Sequence, residues 1–177
     1  MSRGEWMRTR SGGKFYPADP RPEDIEILDI AAGLARECRY GGQLRGFYSV
    51  AEHSVLVADV LPDELKLQGL LHDAPEAWLR DMVRPAKVLL PQYSELEDKA
   101  WAAVAARFGL PAELDPRVKQ ADDAVLLAEK AQLFPHERDE WSIKGEPADV
   151  HIYGFNYQLA EQLFINEFHT ITKGIFQ

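Results

Sequence analysis

The 177 residues suit one domain with its own core and are too few for two comfortable ones. Hydrophobic residues make up 46% and charged residues 28%, a globular balance that excludes extensive disorder. A formal net charge of -9 argues against a duplex nucleic-acid binder, which needs a basic face. The single cysteine, Cys38, excludes an internal disulfide framework and fits a reducing compartment. No apolar run approaches the roughly 18 residues of a membrane span, and the polar N-terminus lacks the apolar core of a signal peptide. A cytoplasmic protein with no membrane partner is therefore expected.

In chain order, Trp6–Tyr16 reads as a β-hairpin turned by Gly12-Gly13. Pro17, Pro20 and Pro22 then suggest a stiff, extended linker. Ile30, Ala31, Leu34, Ala35 and Cys38 form one helical stripe, which predicts a helix ending near Arg39 with Cys38 as a buried filler. Ser49 and Glu52 make a capping box for a helix that runs through His53 and Val57 and stops at Pro62. Asp63 is expected to cap a third helix, whose Leu67, Leu70 and Leu71 lead into His72-Asp73. Ser94 and Glu97 suggest a further capping box, with Gly109 ending that helix. Asp115-Pro116 starts the next, with proline where its missing N–H does no harm. Pro135–Gly154 has weak periodicity and reads as an irregular loop, and a last helix over Tyr157–Thr170 buries Ala160, Leu163, Phe164 and Phe168. The fold class is all-α with a small N-terminal β-hairpin. It is read as a single domain: a hairpin arm and linker over 1–24, a core over 25–135, and a loop with the C-terminal helix over 136–177.

Polar, metal-capable side chains occupy four helical positions where packing would favour apolar ones. Asp122 shares a face with Val118 and Val125, so it points inward, where a carboxylate is costly unless paired, protonated or bound to a cation. His72 and Asp73 end an apolar run, and His53 lies one turn into a capped helix between Val50 and Val57. Two imidazoles and two carboxylates suit one divalent ion, Mn, Co, Fe or Zn with Mg also admitted, and leave positions for water and substrate oxygen. Glu76, Asp81 and Lys87 follow closely. They are the right types for moving protons and holding phosphate in ester hydrolysis, and equally for solvated ion pairs at helix ends. Glu129, one helical repeat after Asp122, suits either a brace for the site or a surface salt bridge. There is no Walker P-loop and no HExxH, and His136, His151 and His169 receive no role.

The order His53, His72-Asp73, Asp122 resembles the HD-domain superfamily, defined by H…HD…D on a helical bundle. The likeness covers about Ile30 to Pro135 and implies that the core is an HD domain. Binuclear HD phosphodiesterases add histidines between the HD pair and the last aspartate. The absence of any between Asp73 and Asp122 implies a mononuclear site. An oxygenase on this scaffold would also need them. The run His72-Asp73-Ala74-Pro75-Glu76 with Asp81 and Lys87 is similar to the pattern of bacterial 5'-deoxynucleotidases and phage dATP triphosphohydrolases. That resemblance implies that Glu76 and Asp81 line the catalytic water and that Lys87 contacts phosphate. It also implies that Arg39 binds phosphate and that Tyr40 packs on the sugar. Those families usually carry Trp at the position of Tyr40, which bears on selection against a 2'-hydroxyl. Phe47–Ser54, the hairpin and Asp19–Ile25 resemble a wider group of small bacterial and phage HD hydrolases.

The expectation is a divalent-metal-dependent nucleotide phosphohydrolase acting on deoxyribonucleotides. Arg39, Arg45, Arg80, Arg84 and Lys87 lean it toward a dATP-type triphosphohydrolase releasing tripolyphosphate. The alternatives are a 5'-deoxynucleotidase acting on monophosphates and a non-catalytic nucleotide-sensing protein. The expected partner is a small-molecule nucleotide. A homo-oligomer is also expected, from the aromatic residues of the hairpin arm and Ile175-Phe176.

Overall fold

A computed structural model describes residues 3–136, 138 and 141–175. The described residues form eight α-helices, three short 3-10 turns and a two-stranded antiparallel sheet, a mostly helical fold with a small hairpin. The helices are α1 (Ile27–Arg36), α2 (Val50–Asp59), α3 (Lys66–Leu71), α4 (Glu76–Leu79), α5 (Arg84–Lys87), α6 (Pro91–Phe108), α7 (Pro116–Leu133) and α8 (Tyr157–Ile175). Strands β1 (Met7–Arg8) and β2 (Lys14–Phe15) pair Met7 with Phe15 and Arg8 with Lys14. None of the described helices is long and apolar enough to cross a membrane.

The hairpin is part of the core. Phe15 is fully buried and stacks on Trp78 of α4, with ring centroids 4.4 Å apart. Asp29 of α1 accepts hydrogen bonds from the Ser11 N–H at 2.6 Å and from its hydroxyl at 2.8 Å. The proline-bearing stretch after the hairpin is folded rather than extended. The Asp19 N–H returns to the Tyr16 carbonyl, Pro22–Asp24 make a 3-10 turn, and Arg3 pairs with both Asp19 and Asp24. Phe176, expected at an interface, lies outside the described residues.

Several boundaries differ from the sequence expectation, each for a local reason. α1 ends at Arg36, and Glu37 and Cys38 are extended, with Cys38 bridging to Ser49. Cys38 is therefore half-buried beside a strand-like stretch instead of filling a helical stripe. The Ser49 hydroxyl does accept the Glu52 N–H, but the Glu52 carboxylate does not complete the box. It accepts the N–H groups of Tyr153, Gly154 and Phe155 at 2.8–3.1 Å and ties the segment before α8 to α2. Asp63 is no cap; it opens the 3-10 turn Asp63–Leu65 and pairs with Lys66. α6 begins at Pro91, so Ser94 and Glu97 lie inside it, and Glu97 pairs with Lys87. Gly109, at φ 68°, ends α6 in the left-handed region that favours glycine. Asp115 caps α7 with Pro116 behind it as expected. α8 runs past Thr170, with Ala160 and Phe164 buried and Leu163 and Phe168 half-buried.

The core sits among α1, α2, α3 and α8, and α7 closes a second cluster around Tyr48, Val57, Val118 and Val125. Gly33 makes the closest approach between α1 and α4: a Cβ there would stand 2.5 Å from the Ala77 carbonyl oxygen. Backbone cannot yield as a side chain can. Gly33→Ala is therefore expected to destabilise the fold by about 1–3 kcal/mol, read as a lower denaturant midpoint; an unchanged midpoint would disprove the tight contact.

Candidate metal centre

α2, α3 and α7 pack against one another, and that packing brings the sequence-predicted ligands together. His53 is fully buried on α2. His72 follows the last residue of α3, Asp73 stands in the turn before α4, and Asp122 lies on α7 beside buried Val118 and Val125. Each imidazole is held by its Nδ1 side: His53 against the Glu129 carboxylate at 2.6 Å, and His72 against the Gly69 carbonyl at 2.7 Å. A proton on each Nδ1 leaves each Nε2 with a free lone pair. Both Nε2 atoms are buried and lack a hydrogen-bond partner.

One ligand atom from each of His53, His72 and Asp122 lies within 4.8 Å of the others, so this group can hold a metal ion. The shortest approach is 3.2 Å, from His53 Nε2 to Asp122 Oδ1. Asp73 borders the group: its Oδ2 is 3.3 Å from His72 Nε2 and 3.7 Å from His53 Nε2. Two outward-facing imidazole lone pairs beside carboxylate oxygens match the donors of a borderline divalent ion. The electrostatics agree. Burial and Arg39 press the His53 pKa down, yet Glu129 and Asp122 outweigh them and push it up to about 9. Burial likewise opposes ionisation of Asp122, but His53 and His72 hold its carboxyl far below the usual range. The centre favours positive charge between its carboxylates.

Glu129 is the brace. It is fully buried and accepts from Arg39 at 3.1 Å, Tyr48 at 2.8 Å, His53 at 2.6 Å and the Tyr40 hydroxyl. Burial works against its charge, but Arg39 and His53 bring its pKa down to about 2. The surface salt-bridge alternative is thereby excluded.

Two cavities bear on the site, one lined by His72 and Asp73 and the other reaching it through Arg39. One of about 290 Å³ is lined by His72, Asp73, Glu76, Lys87, Glu97 and Trp101, among others. The other, about 550 Å³, is bordered by Arg39, Tyr40 and Asp81. Glu76 thus lines the smaller cavity and Asp81 the larger. The buried Glu76 Oε2 has no hydrogen-bond partner. Burial, reinforced by Asp73, raises both carboxyls above their ordinary values, and Asp81 adds to the effect on Glu76.

Arg39 sits beside the centre, 3.7 Å from Asp73, with its charge already shared with Glu129. Tyr40 adopts φ 58° in the turn Arg39–Gly42, and its hydroxyl is tied to Glu129. Lys87 is near the centre but bonded to Glu97 at 2.6–2.7 Å. Arg84 borders the larger cavity. Arg45 lines a separate concavity with Phe134 and His136, and Arg80 pairs with Glu37 at 2.8 Å. Those two do not join the site. Sequence reasoning missed Tyr48 and Glu37, whose carboxylate also accepts the Asp81 N–H at 3.3 Å. Neither carries a local signal, because each acts through a partner far along the chain.

None of the protein-family models matches the chain. It is 39% identical over 144 residues to the uncharacterized protein YfdR of Escherichia coli, covering 81% of each chain. It is 42% identical over 170 residues to the uncharacterized protein RCAP_rcc00048 of Rhodobacter capsulatus, covering 87% of this chain and 86% of that one.

Metal analysis is expected to find one tightly held divalent ion per chain; two would contradict a mononuclear centre. Glu129→Gln keeps the shape but removes the charge that orients His53. It should weaken metal affinity about 10–100-fold in a chelator competition, and wild-type affinity would remove Glu129 from that role.

Proposed function

This chain belongs to the family of the Escherichia coli protein YfdR, and from the site that its own residues build we propose that it is a divalent-metal-dependent phosphohydrolase of the HD-domain type acting on deoxyribonucleotides. One observation carries the reading. His53 and His72, each tied back through Nδ1, turn unpartnered Nε2 atoms toward a space bordered by Asp73 and Asp122. The order of these residues along the chain is the H…HD…D of the HD domain. His53, His72 and Asp122, with Asp73 beside them, would hold a divalent ion, which would supply Lewis acidity for water activation and for offsetting charge on a phosphoryl oxygen.

The remaining work falls to the chain's own side chains. Glu76 and Asp81, with carboxyls raised by burial and by Asp73, are suited to take a proton from the attacking water and return one to the leaving oxygen. Arg39 is set in place by Glu129 and meets phosphate as a preformed donor; Lys87 offers a second cation from the smaller cavity. Tyr40, anchored through its hydroxyl, presents its ring to the sugar.

The charge around the centre bears on the substrate. Arg39, Arg84 and Lys87 face the two cavities, against Asp73, Glu76, Asp81, Glu97 and Asp98. With Arg45 and Arg80 directed elsewhere, two of the five cations that argued for a triphosphate do not reach the site, which favours a monophosphate, the 5'-deoxynucleotidase mode. Assembly into a homo-oligomer belongs to the same proposal.

The test is product-resolved chromatography after incubating Mn- or Co-loaded protein with separate deoxy- and ribonucleotides. Deoxynucleoside and inorganic phosphate from monophosphates are expected. Tripolyphosphate from dATP would establish the triphosphohydrolase mode instead, and no turnover in a metal-holding protein would favour a nucleotide sensor. Asp73→Ala is expected to abolish both metal retention and turnover; full activity in that variant would sink the mechanism.

A further inference from the structure

The larger cavity has a mixed lining: Arg39, 3.7 Å from Asp73 of the metal centre, and Asp81 are charged, whereas Leu126, Ile143 and the Trp141 ring are apolar. Its volume of about 550 Å³ falls within the range of small-molecule pockets, roughly 300–1,000 Å³. A nucleoside 5'-phosphate combines the same kinds of chemistry, charged at the phosphate, amphipathic at the sugar and flat and aromatic at the base. The smaller cavity is a poorer match for a base, because it combines 290 Å³ with the carboxylates of Asp73, Glu76, Glu97 and Asp98.

Trp141 is built into this wall. It is half-buried, and its ring lies 5.6 Å from Phe134 at an interplanar angle of 65° and 6.0 Å from Tyr40 at 49°. Phe134 and Tyr40 in turn meet edge to face at 5.0 Å. From α7, Lys130 Nζ stands 5.4 Å from the centre of the Trp141 ring, a cation–π contact that holds the indole from a neighbouring helix. The indole therefore comes from an irregular segment but is held by fixed neighbours.

We propose that this cavity is a nucleoside subsite in which Trp141 stacks on the base, so that Trp141 determines how strongly the base contributes to binding. The proposal rests on the nucleotide reading above and adds the residue that reads the base. Stacking on a ring tolerates every base, since each has a π-face, so Trp141 confers affinity for nucleosides more than choice among them. Ser142 and Arg84 also line this cavity and, beside Arg39, Tyr40 and Asp81 already given roles above, are polar groups that can discriminate.

The test uses ligands that carry no phosphoester. Deoxyadenosine, thymidine and inorganic phosphate are titrated calorimetrically into the metal-loaded full chain, wild type, Trp141→Ala and Trp141→Phe. Removing one base-stacking ring should weaken nucleoside binding by about tenfold or more, with Trp141→Phe restoring most of it and phosphate binding unchanged. Three results would overturn the subsite: no binding of either nucleoside to wild type, equal nucleoside affinity in Trp141→Ala, or a parallel loss of phosphate binding. Trp141-dependent nucleoside binding without turnover of any nucleotide would overturn the hydrolase reading and leave this one standing; turnover with Trp141-independent binding would do the reverse.

Discussion

Glu129 is a carboxylate without access to water, and its charge is tolerated because Arg39, Tyr40, Tyr48 and His53 all donate to it. An isolated buried carboxylate would be prohibitive, so these contacts are conditions of folding as much as features of a site. They arrive from different parts of the chain: the turn after α1, the residue before the cap of α2, and α2 itself. Anchored on α7, Glu129 therefore makes tertiary packing and ligand orientation a single problem. The proton on His53 Nδ1 is committed to it, and the opposite nitrogen is free to be a donor.

That arrangement leaves an imbalance. Arg39 and one proton on His53 answer Glu129, while Asp73 and Asp122 crowd the far side of the same imidazole. The lifted pKa of His53, about 9, expresses the deficit: the site draws a proton onto a buried ring that burial alone would keep neutral. A divalent ion would answer the same deficit with more charge and better-directed bonds. Its binding would then be linked to proton release, and part of its binding energy would also be stability of the α2, α3 and α7 assembly.

The sequence made legible what depends on local pattern. The hairpin, the Ser49 and Asp115 caps, the Gly109 stop and the inward side of Asp122 follow from near neighbours, and each is present. His53, His72 and Asp122 come together, with Asp73 bordering them, because α2, α3 and α7 pack against one another. Expectations weakened where two local signals competed. Ser94 looked like a cap, but Pro91 can open a helix earlier, and it does. Glu52 looked like the second half of a box, but backbone donors about a hundred residues away hold it instead. Tyr48, Glu37 and Trp141 were silent for the same reason: their partners are remote, and nothing in their neighbourhood announces them.

The Glu52 contact also sets where the chain can change length. Among the described residues, 141–151 precede α8 without helix or strand, and insertions there are limited by the packing of Trp141 on Tyr40 and Phe134, by the Ala148 N–H on the Ala124 carbonyl and by the contacts that Gln132 makes with Val150 and Ile152. At Tyr153, Gly154 and Phe155 any remaining freedom ends, because three consecutive N–H groups close on one buried carboxylate and a shift of one residue would change every partner. Glu52 immediately precedes His53, so a slip in that register would be felt one residue from a candidate metal donor. α8 is thereby indexed to the centre, and variation in the length of this protein should collect on one side of Ile152.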